Sequence, residues 1–168
     1  MDQHALHREL QSNLKAIRRF AYSLSGTMAD ADDLLQATVL RILERGVPAD
    51  VVLTRWAFRV CRNLWIDQLR MQGTRAIWAR EQEDVGERLL DGERVAESSV
   101  TFGEVQQAMQ TLPEDQRVLL ALVAVEGLSY REAADVLDIP MGTVMSRMSR
   151  ARAAMAARFD QGTVAGTD

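Results

Sequence analysis

Apolar residues recur every three or four positions along most of this chain, the spacing of helices with one buried face. Leu6, Leu10, Leu14, Ile17, Ala21 and Leu24 carry it through a first segment, and Ser25-Gly26 ends it. Asp30, Asp32 and Asp33 follow, placing negative charge where a helix N-terminus favours it. A second helix is therefore predicted over 31–45, closed by Gly46 at the usual C-terminal glycine position. Pro48 lies in the loop after it, and a third helix is predicted over 54–71, with Thr54 as its N-cap. Trp56, Ala57, Phe58, Val60, Cys61, Leu64, Trp65, Ile66 and Leu69 make that helix apolar nearly all round. Such a helix is either sandwiched inside a bundle or keeps one face for a partner.

The rhythm resumes past residue 102. A short helix is predicted over 103–111, then one opened by Pro113 and closed by Gly127. Ser129, with Glu132 three residues on, has the pattern of a capping box and starts a helix through Leu137. Asp138-Ile-Pro-Met141 breaks the chain, and a last helix runs from about Gly142 to about Phe159. No segment sustains period-two alternation, so the predicted fold is all-α.

Charge divides the chain. Residues 1–72 carry a net charge of +2, residues 73–111 of −4 and residues 112–168 of −2, within a chain whose formal net charge is −4. The acidic middle holds Gly73, Gly86, Gly92 and Gly103 and few paired apolar residues. The expected organisation is two small helical domains, 1–72 and 103–160, joined by an acidic flexible linker, 73–102, with a disordered tail, 161–168. A single cysteine, Cys61, excludes an internal disulfide framework. Neither a membrane-length apolar run nor a signal-peptide pattern is found, so a cytoplasmic location without membrane insertion is expected.

Against the acidic whole, Ile139 to Phe159 has no Asp or Glu and four arginines, Arg147, Arg150, Arg152 and Arg158. At 100° per residue Met141, Val144, Met148, Ala151, Met155 and Phe159 share a core stripe, and Thr143, Ser146, Arg147 and Arg150 fall on roughly the opposite side. A capped helix, a tight turn and a helix with a polar, cationic outer face is helix-turn-helix geometry, whose second helix enters the DNA major groove N-terminus first. Arg can pair bidentately with a guanine edge, and Ser or Thr can bind phosphate or a base. No metal or catalytic set competes with this reading. His4 and His7 share a helix face but gain no further ligand, Cys61 reads as a buried thiol, and Trp65 and Trp78 read as packing residues before base-stacking ones.

Leu112-Pro-Glu-Asp-Gln-Arg117, Gly127-Leu-Ser-Tyr-Arg-Glu-Ala-Ala134 and Ile139-Pro-Met-Gly-Thr-Val-Met-Ser-Arg-Met-Ser-Arg-Ala-Arg152 resemble the promoter-reading C-terminal domain of extracytoplasmic-function sigma factors. Ala31-Asp-Asp-Leu-Leu-Gln-Ala-Thr-Val-Leu40 resembles the family's core-polymerase-binding helix, and Trp56-Ala-Phe-Arg-Val-Cys-Arg-Asn-Leu-Trp-Ile-Asp-Gln-Leu-Arg70 its promoter-melting helix. The details are closest to the alphaproteobacterial general-stress subgroup.

The resemblance implies a subunit of bacterial RNA polymerase, not an enzyme, that needs no cofactor. Its implied partners are core polymerase, promoter DNA and an anti-sigma factor. Asp33, Leu34 and Gln36 would dock on the polymerase. Arg59, Arg62, Asn63 and Asp67 would meet the minus-ten element, with Asn63 able to donate to and accept from an unstacked base. Thr143, Ser146, Arg147 and Arg150 would read the minus-thirty-five element. Two departures stand out: Ala37 follows Gln36 where the family usually has Glu, and Met145 stands where a basic residue is common. These keep open a sigma-like mimic that sequesters an anti-sigma factor without productive promoter binding. A conventional helix-turn-helix regulator would need a dimerisation element that the sequence does not offer.

Overall fold

A computed structural model describes residues 1–80 and 101–164, all in helices and short connections. Helix α1 (Gln3–Ser25) ends on Gly26, whose φ of +82° closes the helix through its amide on the Tyr22 carbonyl. Helix α2 (Met28–Arg45) begins one turn earlier than the acidic run suggests, because Thr27 is the cap, accepting from the Asp30 amide. Helix α3 (Leu53–Arg80) takes in Thr54, which therefore is no N-cap; its hydroxyl donates instead to Asn13 Oδ1, 2.6 Å away. The helix also carries on through residues 73–80, eight residues into the stretch read as linker. The rest of that stretch up to residue 100 lies outside the described residues, as do residues 165–168 of the expected tail and the side chain of Trp78.

The second module contains α4 (Phe102–Gln110), α5 (Glu114–Leu120) running into a π-helical turn (Ala121–Val125), α6 (Tyr130–Leu137) and α7 (Met141–Val164). Ser129 and Glu132 form the predicted capping box on α6, and Thr101 with Glu104 forms a second one on α4. Helix α7 ends five residues beyond the predicted end at Phe159. Met141, placed on the core stripe by its spacing, is 40% exposed; the stripe is held by Val144, Met148 and Ala151.

The two modules share one core. Phe20, Leu24, Leu34, Phe58, Cys61 and Trp65 of the first pack in a single buried cluster with Met109, Leu112, Val118, Leu122, Val144 and Met148 of the second. A smaller cluster of Leu10, Ile17, Ile42, Leu53, Ala57 and Val60 lies within the first module alone. This accounts for the all-round apolar surface of α3. One side faces α1 and α2, and the other faces the second module, so the helix is sandwiched.

Polar contacts lock the joint. Arg117 is its hub, with hydrogen bonds to the carbonyls of Leu24, Met109, Gln110 and Leu112 and to Gln110 Oε1, at 2.9–3.1 Å. These include C-terminal carbonyls of α1 and α4, which a helix leaves without internal partners. The same guanidinium lies 5.3 Å over the Trp65 ring, so this buried tryptophan is not available to stack on a base. Gln110 Nε2 also donates to the Ser23 carbonyl, and the Gln110 side chain would lie 2.8 Å from a Cβ at position 26. Glycine there thus answers both the left-handed backbone and the close approach.

Candidate nucleic-acid interface

The outer face of α7 follows from its spacing. With Val144, Met148 and Ala151 buried, Ser146, Ser149 and Arg150 are exposed. Ser146 turns its hydroxyl back to the Thr143 carbonyl at 3.4 Å, and Thr143 is half-buried. Arg150 reaches into solvent, and no ion pair holds it among the described residues. Arg147 differs: its Nε lies 3.4 Å from Asp115 Oδ2 at the start of α5, so it is braced against its own module at the edge of this face. Arg152 stands 5.8 Å over the Tyr130 ring, a packing role apart from the outer face.

On α3, Asn63 and Asp67 are exposed and Arg59 and Arg62 are half-buried. A cavity of about 190 Å³ brings Arg59, Asn63 and Asp67 together with Arg41, Arg45, Trp56 and Gly46. The sequence reading did not single out Arg41 and Arg45. Their i,i+4 spacing just before a helix-ending glycine was the available signal. Three arginines, an indole, an amide and one carboxylate around a small cavity form a setting in which a flat, hydrogen-bonding ligand such as a nucleotide base could be held, with the cations in excess.

The second module leans on this same helix. Arg55 meets Glu132 at 2.8 Å and Arg59 meets Asp138 at 3.7 Å, both across the joint. The strongest cross-joint pair is farther off, where Arg19 makes two 2.8 Å bonds to the Glu126 carboxylate, whose side chain is 2% exposed. Arg62 donates to Asn63 Oδ1 at 3.0 Å, but its Nε is buried without a hydrogen-bond partner among the described residues. Burial, followed by repulsion from Arg147, Arg59 and Arg70, pulls its pKa below the usual arginine value. Residues expected at the minus-ten element and a residue expected at the minus-thirty-five element therefore come close enough at the joint to repel each other. Arg62 belongs to the first group and Arg147 to the second.

The α2 surface is a third region. Asp33 and Gln36 are exposed on it. Leu34 is not on that surface: it is wholly buried against α1 and α3, one residue round the helix, and shapes the face only from below. The outer face continues instead to Leu40 and Leu43, two large exposed apolar side chains that sequence reasoning missed. Cys61 is buried, and burial, partly offset by Thr38, pushes its thiol up to about 12, so it stays an unreactive thiol at neutral pH. His7 spends Nδ1 on the Gln3 carbonyl at 2.8 Å, and no metal-holding group of His, Cys, Asp and Glu occurs among the described residues. Within the same residues no helix is long and apolar enough to cross a membrane.

Comparison with known proteins places both modules. Residues 10–75 match the family profile for sigma-70 region 2, and residues 102–155 match that for sigma-70 region 4. The ECF RNA polymerase sigma factor EcfG of Rhodopseudomonas palustris is 34% identical over 158 residues, covering 91% of this chain and 84% of that protein. The sigma factor RpoE of Bartonella quintana, solved in complex with the anti-sigma factor NepR, superposes with a TM-score of 0.75 at 28% identity, over 92% of this chain and 96% of that one. A complex of the anti-anti-sigma factor PhyR with NepR from the same organism shares the fold alone, at a TM-score of 0.63 and 14% identity over 91% of this chain and 50% of that one.

Proposed function

Because the chain belongs to the extracytoplasmic-function sigma factors of the sigma-70 family, we propose that residues 1–72 dock on core RNA polymerase and read the minus-ten element while residues 103–160 read the minus-thirty-five element. The chain supplies promoter choice and leaves catalysis to the polymerase. Asp33 and Gln36, continued by Leu40 and Leu43, form the polymerase face. Asn63 and Asp67 take a base from the unwound strand into the cavity rimmed by Arg41, Arg45 and Arg59. Ser146 and Arg150 of α7 meet duplex DNA. By likeness to the Bartonella quintana complex, an anti-sigma factor holds this chain in the cytoplasm until a stress response releases it.

One observation carries the reading. Two separate polar surfaces suited to nucleic acid stand on the two modules, one a cavity with an amide, three arginines and a single carboxylate, the other a helix face free of carboxylate. The arrangement also sets a condition. The two promoter elements lie about 25 base pairs apart, roughly 85 Å at 3.4 Å per pair. Here α3 and α7 are near enough for Arg147 to perturb Arg62. The modules must part before both elements can be read, and the cross-joint pairs must break when they do.

Run-off transcription with purified core polymerase tests this. The parent should direct initiation at its own promoters. Arg150→Ala should lower initiation about tenfold at promoters that need the minus-thirty-five element, the loss of one bidentate base contact. Asn63→Ala should fail mainly at strand opening. A chain that leaves core polymerase silent on every promoter, while still binding an anti-sigma factor, would be a mimic.

A further inference from the structure

We propose that Met145 reads DNA, and that what it recognises is the 5-methyl group of a thymine in the minus-thirty-five element. The proposal rests on the assignment of α7 as the duplex-reading helix and adds the chemistry of one contact. Met145 is 58% exposed, while Val144 and Met148 beside it are wholly buried. It is therefore no part of the core. At 100° per residue it flanks a strip made of Gly142, Ser149 and Ser146, and Arg150 flanks the same strip on its far side. The strip's own side chains are short. Met145 and Arg150 therefore reach farthest from the outer surface, one apolar and one cationic.

What an apolar side chain can meet there is limited. Phosphate offers it nothing, since it has no charge and no donor. Along the major groove the base edges present donors, acceptors and a single kind of apolar group, the thymine methyl. Each A·T pair shows that methyl from one strand only, so an apolar contact distinguishes A·T from T·A as well as from both G·C orientations. The unbranched thioether has three rotatable bonds with which to seat against it. Position also favours the contact. Met145 is the fifth residue of α7, within the N-terminal part that leads into the groove, and Met141, one turn before it, is also exposed. A protein partner fits this surface less well. From Ile139 to Phe159 there is no carboxylate, and the charged neighbours of Met145 along the helix are arginines, which suit a polyanion.

The test uses holoenzyme reconstituted from core polymerase and the full chain, with a duplex selected from a pool randomised across the minus-thirty-five element. Each thymine of either strand is replaced in turn by deoxyuridine, which removes only the methyl. The parent should lose about fourfold in affinity at one position, the worth of burying one methyl-sized group. Met145→Ala should bind the thymine and deoxyuridine duplexes alike. Arg150→Ala should bind more weakly but keep the parent's methyl dependence. Thermal unfolding of Met145→Ala should match the parent, because the side chain is mostly in water. The proposal is overturned if no thymine position is sensed by the parent, if Met145→Ala keeps the same methyl dependence, or if it weakens binding equally on every duplex. If parent and Arg150→Ala bind selected and scrambled duplexes alike, α7 is not the promoter reader and the Met145 proposal falls with it. If Arg150→Ala behaves as expected and Met145→Ala does not, only the Met145 proposal fails.

Discussion

The outer face of α7 and the outer face of α3 carry similar side chains in opposite conditions. Arg150 and Ser146 of α7 stand in water, ready for a polyanion. Arg59 of α3 already faces a carboxylate, and Arg62 is half-buried beside other cations. The carboxylates across the joint, Glu132 and Asp138, hold the arginines of α3 in the way that phosphates would. An arginine's readiness for DNA thus depends less on its presence in the sequence than on which acidic groups the fold sets opposite it. In this arrangement one of the two proposed readers is open and the other is partly covered by the chain itself. Three experiments press on that difference, from the largest expected effect to the smallest.

The largest effect should come from the hub of the joint. Arg117→Ala removes five hydrogen bonds and a cation–π contact, and leaves helix-end carbonyls of α1 and α4 without partners. A loss of about 2 kcal/mol is expected, the scale for breaking a half-buried hydrogen-bond network. Denaturant unfolding measures it, and the distance between labels on the two modules should lengthen in the same variant. Full stability in Arg117→Ala would mean that the joint is held by apolar contacts alone, and the covering of α3 would then owe little to polar locking.

The second effect has the opposite sign. Arg62 has a buried, unpartnered Nε and is repelled by Arg147, Arg59 and Arg70. Replacing a half-buried charge that has a buried, unsatisfied donor with an apolar side chain of similar length is stabilising when the lost desolvation and repulsion outweigh its one hydrogen bond. Arg62→Met should therefore raise the stability of the free chain by about 1 kcal/mol. It should also reduce initiation at promoters that depend on strand opening. Gain in stability with loss of function would mark Arg62 as held for the DNA-bound state. A destabilised Arg62→Met would mean that its bond to Asn63 outweighs the repulsion.

The helices and most of their ends were legible in the sequence because they depend on neighbours in the chain. Gly26, Gly46 and the Ser129–Glu132 box stand where local rules put them. The Thr101–Glu104 box obeys the same rule as Ser129–Glu132; the helix was predicted from residue 103, one past its start, and its cap at the edge of the acidic stretch was missed. Thr27, not the acidic run after it, caps α2, since a hydroxyl can accept from the third helical residue while the aspartates only add favourable charge. The candidate site was legible as residue types on α3 and α7. Their surroundings were not. Arg19 and Glu126 are 107 positions apart, and no period or motif connects them. Leu34 shows the same limit from inside, because one step round the helix from an exposed aspartate carried it into the core.

The smallest effect concerns acid. Glu132 is exposed and its pKa is lowered below the ordinary carboxylate value, first by the Ser129 amide, then by the Ser129 hydroxyl, and less by Arg55 across the joint. A carboxyl with a depressed folded pKa contributes stability that is present above its unfolded value of about 4.3 and is lost as pH falls through the folded value. Its contribution should therefore be complete at neutral pH and fade only below about pH 4. Glu132→Gln still offers an oxygen to the Ser129 amide but cannot be neutralised by acid and has no charge for Arg55. Its unfolding midpoint should differ from the parent's by a small amount at pH 7, and that gap should close toward pH 3. The two parts can be separated with Arg55→Gln. Because the Ser129 bonds dominate, Arg55→Gln should keep most of the parent's acid response, and Glu132→Gln should lose it. If instead Arg55→Gln abolishes the response, the cross-joint pair is stronger than its exposed geometry suggests, and acid would loosen the cover over α3 as well as the end of α6.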